Sequence, residues 1–161
     1  MCTAVVRDRG CVVTVRVTTL KGTDAGTYYV EQLPRYYVDA NEPPGRWHCR
    51  GAERLGLTGD VDPDSFVDVM AGHAPGSDVH LGRTYDERSV RGFDVTASAP
   101  KSVSVLFAVA DDTTRQTVLE AHDRAVAALV GWIERHAHTR YRIQGDVAVV
   151  DAEGIVAAAF R

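Results

Sequence analysis

The chain has 161 residues, 45% hydrophobic and 25% charged, with a formal net charge of −4 at pH 7. That is enough length and apolar content for one folded domain with its own core, and the sign of the charge argues against an indiscriminately basic nucleic-acid binder. Arg7, Asp8 and Arg9 near the start, without a long apolar run, predict neither a secretory signal nor membrane insertion. Three cysteines (Cys2, Cys11, Cys49), odd in number and without metal-ligand spacing, fit reduced thiols and a cytoplasmic location.

Residues 1–10 are expected to be a loose N-terminus. From Cys11 to Leu20, Val13, Val15 and Val17 alternate with Thr14, Arg16 and Thr18, the pattern of a half-buried strand. Thr23 or Asp24 is a plausible cap for a short helix carrying Tyr28 and Tyr29, and Pro34 ends it, leaving Tyr36 and Tyr37 on a following loop. Asn41–Gly45 reads as a loop, and Trp47, Gly51 and Leu55 open a compact small-residue segment. Asp62 then Pro63 reads as the cap and first residue of a helix to about Ala71. Its inner side would be Phe66, Val67 and Met70, with Gly72 past its end. Residues 72–91 hold turn formers and charges and are expected to be a mobile loop.

Phe93 to Ala110 is the longest apolar tract. Its alternation predicts a strand, a break at Ala99-Pro-Lys101 and a second strand-like piece. A long helix follows from about Thr113 to Ala137, with Val118, His122, Ala125, Leu129 and Ile133 at helical spacing and Glu120 paired to Arg124. Two strands, roughly 141–150 and 155–160, close the chain as a hairpin about the turn Asp151-Ala-Glu-Gly154. This order predicts an α+β fold, an antiparallel sheet with helices mainly on one side.

Charge is unevenly spread. Residues 1–50 carry seven basic and five acidic side chains, residues 51–92 four and eight, and residues 93–161 seven and nine. The segment holding Tyr28, Tyr29, Tyr36 and Tyr37 is therefore the least acidic, and a phosphate backbone can approach it. Four of six tyrosines within ten residues read equally as an aromatic staple over the sheet or as functional phenols. Asp94, inside the apolar tract on or beside a buried strand, reads equally as a strand-end cap or as a carboxylate that orients or deprotonates a catalytic group. Ser98, Lys101, Ser102 and Ser104 around Pro100 suit either a phosphate or a solvated turn. His136 and His138 look like a metal pair, but i and i+2 on a helix point about 200° apart, so they read as polar residues at a helix C-terminus. His73 and His80 flank the 72–91 loop and read the same way. No phosphate-binding loop, dinucleotide fingerprint or nucleophile elbow is present.

Three stretches carry a resemblance: Tyr28-Tyr29-x6-Tyr36-Tyr37; Arg46-Trp47-x3-Gly51-Ala-Glu-x-Leu55-Gly-Leu-x-Gly59-x-Val61-Asp62; and Phe93-Asp94-Val-Thr96-x-Ser98-Ala-Pro-Lys-Ser-Val-Ser104. Together they resemble the TrwC/TraI-type conjugative relaxases, the MobF branch of the HUH endonucleases, from about Val12 to Arg161. The resemblance implies site- and strand-specific nicking of origin-of-transfer DNA, with Tyr28 attacking to give a 5′-phosphotyrosyl intermediate and Tyr36 serving a second strand transfer. Tyr29 and Tyr37 complete the two pairs, and Asp94 matches the acid that assists the tyrosine or orients a metal-bound histidine.

Arg35, Arg46, Arg50, Trp47, Ser98 and Lys101 are the candidate contacts to DNA. The implied cofactor is a divalent metal whose three histidine ligands fall beyond Arg161. Residues 1–161 would then be the N-terminal portion of one relaxase domain, without a helicase portion and cleaving poorly alone. The implied partners are single-stranded origin DNA and other relaxosome and coupling proteins. Two other readings compete: a non-catalytic single-strand binding module stacking bases on Tyr and Trp47, and a rolling-circle replication initiator.

Overall fold

The computed structural model describes residues 2–8, 11–21, 44–82, 84, 86, 88–143 and 146–160. Along the chain these form β1 (Cys2–Asp8), β2 (Cys11–Lys21), β3 (Arg46–His48), α1 (Arg50–Arg54), α2 (Pro63–Ala71), β4 (Val90–Ser98), α3 (Lys101–Val109), α4 (Asp112–Arg135), β5 (His138–Ile143), β6 (Asp146–Asp151) and β7 (Ala157–Ala159). The described strands make one three-stranded sheet, β1-β2-β4, and two two-stranded ones, β3-β7 and β5-β6. The fold is α+β with antiparallel pairing, as the element order predicts. The chain divides into two compact units, Met1–Leu20 with Gly92–Leu129, and Lys21–Arg91 with Val130–Arg161.

In the first unit, β2 shows the expected alternation: Val15 is 3% exposed between exposed Thr14 and Arg16. The segment expected to be a loose N-terminus is instead β1, antiparallel to β2 from Cys2↔Val17 to Asp8↔Cys11. The backbone groups along one edge of β2 need partners, and a run with Thr3, Val5 and Val6 suits an extended conformation. β4 ends at Ser98 as predicted. The piece after Pro100 is not a strand but α3. Half-burial recurs at 103, 107 and 110, which is helical spacing. Nine residues of mixed Val, Ser and Leu fit either period, and Pro100, extended at φ −58° and ψ 151°, starts the helix by accepting the amides of Val103 and Ser104 at 2.9 and 3.1 Å.

α4 runs almost as predicted, with Leu129 buried and Val118, His122, Ala125 and Val126 half-buried. Glu120 accepts from Gln116 Nε2 at 3.1 Å in place of the expected pair with Arg124. Its final turn belongs to the second unit.

The second unit has its core where β3, α1, α2 and β7 meet. Trp47, Ala52, Leu57, Val61 and Phe66 are buried together, with Leu55, Val69, Met70, Val156 and Ala158 packed on them. Phe66 lies 6.3 Å from Trp47 and 5.8 Å, edge-on, from Phe160, centroid to centroid. α2 starts and stops on the predicted residues. Asp62 accepts from the Ser65 amide at 2.9 Å, Pro63 is the first residue, and Gly72 closes the helix at φ 87°. Val69, not Val67, joins Phe66 and Met70 against the core.

The closing hairpin differs from expectation. Residues expected as one strand, 141–150, belong to two, β5 and β6, paired from His138↔Asp151 to Ile143↔Asp146. β7 pairs not with them but with β3, Trp47 opposite Ala158. A nearby turn is the usual partner-finder in sequence, but here the small alanines of β7 let the indole of a distant strand pack closely. Residues 72–81 form a hydrogen-bonded turn: Ala74 donates to Val79 O and Leu81 to Gly72 O, each at 2.8 Å.

Candidate functional site

Tyr28, Tyr29, Tyr36, Tyr37 and Arg35 lie outside the described residues; the other candidates are Asp94, Ser98 and Lys101 in one unit and Arg46, Trp47 and Arg50 in the other. Asp94, Thr96 and Ser98 share one face of β4 by the two-residue period of a strand. Asp94 is half-buried, and Phe93 beside it is 62% exposed. β4 is therefore not the buried strand expected: it sits at the end of the described order β1-β2-β4 and has no buried residue. A half-exposed carboxylate there is free of the cost of full burial and open to a reacting group.

Ser98, the last residue of β4, and Lys101, the first residue of α3, are both exposed. The amides of Lys101 and Ser102 have no partner among the described residues. A helix start with open N–H groups, a positive dipole end and an ammonium group attracts an anion such as a phosphate. Asp94, Ser98 and Lys101 thus lie within eight residues of one another across one strand-to-helix junction.

In the second unit, Arg46 is exposed while its backbone is held in β3, opposite Ala159 and bridged to Asp60. Trp47 is a correction. Trp47 is 9% exposed and sits in the hydrophobic cluster, which leaves little of it for a base to stack on. An indole next to Phe66 buries more apolar area inward than it would expose to a strand of DNA. Arg50 has a carboxylate neighbour, its Nε 3.6 Å from Glu134 Oε2, while its side chain stays exposed.

Glu134 was not singled out in sequence, yet it ties three segments together. Its Oε1 accepts the amides of Arg50 at 2.9 Å and Ile155 at 3.3 Å. Burial alone would raise its pKa, but the amides of Ile155 and Arg50 and the Arg50 guanidinium outweigh that and hold it below its ordinary value. Around this junction a β-carbon on Gly51 would overlap the Ile155 carbonyl, and one on Gly154 would come within 2.6 Å of the Gly51 amide. Both positions need glycine for this close approach. Cys49, at φ 78°, has its thiol pushed up to about 11, by burial first and then by Glu134 and Glu53. It is a thiol rather than a thiolate at neutral pH and a poor nucleophile.

His136 and His138 do not converge. His136, just past α4, has Nδ1 2.8 Å from the Trp132 carbonyl oxygen in the last turn of that helix, as expected of a helix C-terminus. His138 lies on β5, with Nε2 3.3 Å from Asp151 Oδ1. Among the described residues no three His, Cys, Asp or Glu side chains gather as metal ligands would.

Comparison with known proteins bears on the same stretches. The family model described as TrwC relaxase matches residues 22–161, tyrosine pairs included. The chain belongs to the TrwC relaxase family. Among relatives of this chain is the multifunctional conjugation protein TraI of Escherichia coli K12, 37% identical over 137 residues, which are 84% of this chain and 8% of TraI. Among solved structures, conjugative relaxase TrwC in a metal-bound complex with oriT DNA has 34% identity and a TM-score of 0.72, over 91% of this chain and 50% of TrwC. TrwC with a 27-mer carrying the recognition hairpin and cleavage site gives 31% and 0.70, over 91% and 48%. The chain thus spans about half of those TrwC chains and under a tenth of TraI.

Proposed function

We propose that the protein acts as a conjugative relaxase on its own element's origin-of-transfer DNA, cutting and later rejoining one strand through a tyrosyl ester in the cytoplasm. The observation that carries this reading is the TrwC likeness at 34% identity and TM-score 0.72, since that relative is bound to oriT DNA. Tyr28 is the first nucleophile and Tyr36 the second, with Tyr29 and Tyr37 beside them. An isolated phenol has a pKa of about 10 and is a weak nucleophile at neutral pH, so it needs a base. Asp94 takes that role directly or by orienting another group.

In the first step the Tyr28 oxygen bonds to phosphorus as its proton leaves to a base. The bond from phosphorus to the 3′ oxygen breaks, and that oxygen takes up a proton. The ester keeps the phosphate activated, so the reverse attack by a 3′ hydroxyl reseals a strand. Ser98 and Lys101, supported by the open helix start beside them, and Arg35 and Arg46 hold backbone phosphates. Metal use in this family is evident from the metal-bound relative. Among the described residues no three His, Cys, Asp or Glu side chains gather as ligands of such a metal would, and relaxosome and coupling proteins are further partners of the same reading.

The test is a denaturing gel of the gene product incubated with labelled single-stranded origin DNA and a divalent metal. A covalent adduct is expected, lost on Tyr28→Phe and slowed by Asp94→Asn, typically by about 10²–10⁴ for a general base. Tight binding without any adduct would point to a single-strand binding module instead.

A further inference from the structure

His73 and His80 face each other across the turn that follows α2. They are bridged antiparallel, and the hydrogen bonds on either side, Ala74 N to Val79 O and Leu81 N to Gly72 O, both 2.8 Å, make theirs a non-hydrogen-bonded pair. In such a pair the side chains lie on one face and approach most closely. The ring centroids are 4.5 Å apart at an interplanar angle of 45°. Neither ring has a hydrogen bond among the described residues, although both imidazoles have nitrogens able to bond.

The turn is held from below as well. The His73 amide donates to Asp68 O at 2.8 Å, the Gly76 amide to Asp68 Oδ2 at 2.7 Å, and the Val79 amide to Ser77 Oγ at 3.1 Å. Two imidazoles fixed in register by five backbone-anchored bonds lose little further freedom on sharing an ion.

We propose that His73 and His80 form a two-histidine chelating site for a divalent late first-row transition ion, with water completing its coordination. An ion bonded to one nitrogen of each ring at about 2.0–2.1 Å would sit roughly 3.2 Å from each ring centre, so centres 4.5 Å apart give an N–metal–N angle of about 90°. That angle belongs to adjacent positions of a square-planar or octahedral ion more than to a tetrahedral one, and imidazole donors suit copper and nickel. The site rests on the turn geometry alone and stands apart from the relaxase reading.

The experiment is calorimetric titration of the tag-free full chain with Cu²⁺ or Ni²⁺ alone, in buffer without chelators, with electron paramagnetic resonance of the copper form to count bound imidazoles. Saturable binding with two nitrogens from imidazole is expected. His73→Asn and His80→Asn should each lower affinity by about tenfold or more, since even supporting partners of metal ligands cost that much. His136→Ala and His138→Ala should leave it unchanged. His80 is exposed, so circular dichroism of His80→Asn should match the parent and separate lost ligation from lost folding. Unaltered affinity in both turn variants, loss of binding in the His136 or His138 variants, or no saturation at all would each overturn the proposal.

Discussion

Asp62 and Glu134 are both carboxylates that accept backbone amides, and they differ in how far away those amides come from. Asp62 caps its own helix through Ser65, three residues on, and that bond, with the Ser65 side chain, holds its pKa below the ordinary value. The pattern Asp-Pro…Gly is local, so it is readable without coordinates. Removing it as Asp62→Ala should cost about 1 kcal/mol of stability, measured by urea denaturation.

Glu134 reaches amides 84 and 21 positions away in the chain, and nothing near it in sequence announces that. Its pKa is lowered in the folded state. Its contribution is therefore complete above the unfolded value near 4.5 and is lost as pH falls through the lower folded value. Denaturation midpoints measured from pH 7 downward should fall on acidification below that point. Glu134→Gln should start lower at pH 7 and fall less steeply, and an identical slope in both proteins would contradict the assignment.

Among the elements, strong periodic signals survived and short ambiguous ones did not. α4 and β2 carry enough repeats for their periods to be distinct, whereas the nine residues of α3 satisfy both a two-residue and a 3.6-residue repeat. What settles α3 is half-burial at every third or fourth residue, with Val105 and Val109 left exposed. The pairing of β7 with β3 was hidden for a different reason. Ala157–Ala159 has no side-chain signature of its own, and its partner lies more than 100 residues earlier. Phe66 touches both sides of that arrangement, with Trp47 on one and Phe160 on the other. Phe66→Ala should therefore cost about 3–5 kcal/mol, while the exposed Val105→Ala should stay within about 0.5 kcal/mol, both by thermal or urea unfolding.

For the molecule as a whole, a net charge of −4 means that DNA contacts must be local rather than a general attraction. Under the proposed function, Lys101 at the start of α3 holds a phosphate. Lys101→Ala should then weaken binding to all single strands alike and flatten the dependence of log K on log salt by about one unit. A change confined to one DNA sequence would instead make it a reader of bases.

Residue order alone was sufficient for the relaxase resemblance, the α+β class, and the helix bounded by Asp62 and Gly72, because each depends on neighbours within a few turns of chain. Folding in three dimensions was needed to turn Trp47 from a stacking platform into core, to bind Arg50 to Glu134, to pair β7 with β3, and to set His73 against His80. Those outcomes depend on which distant groups compete for the same buried area and the same backbone hydrogen bonds, a competition with no trace in local spacing.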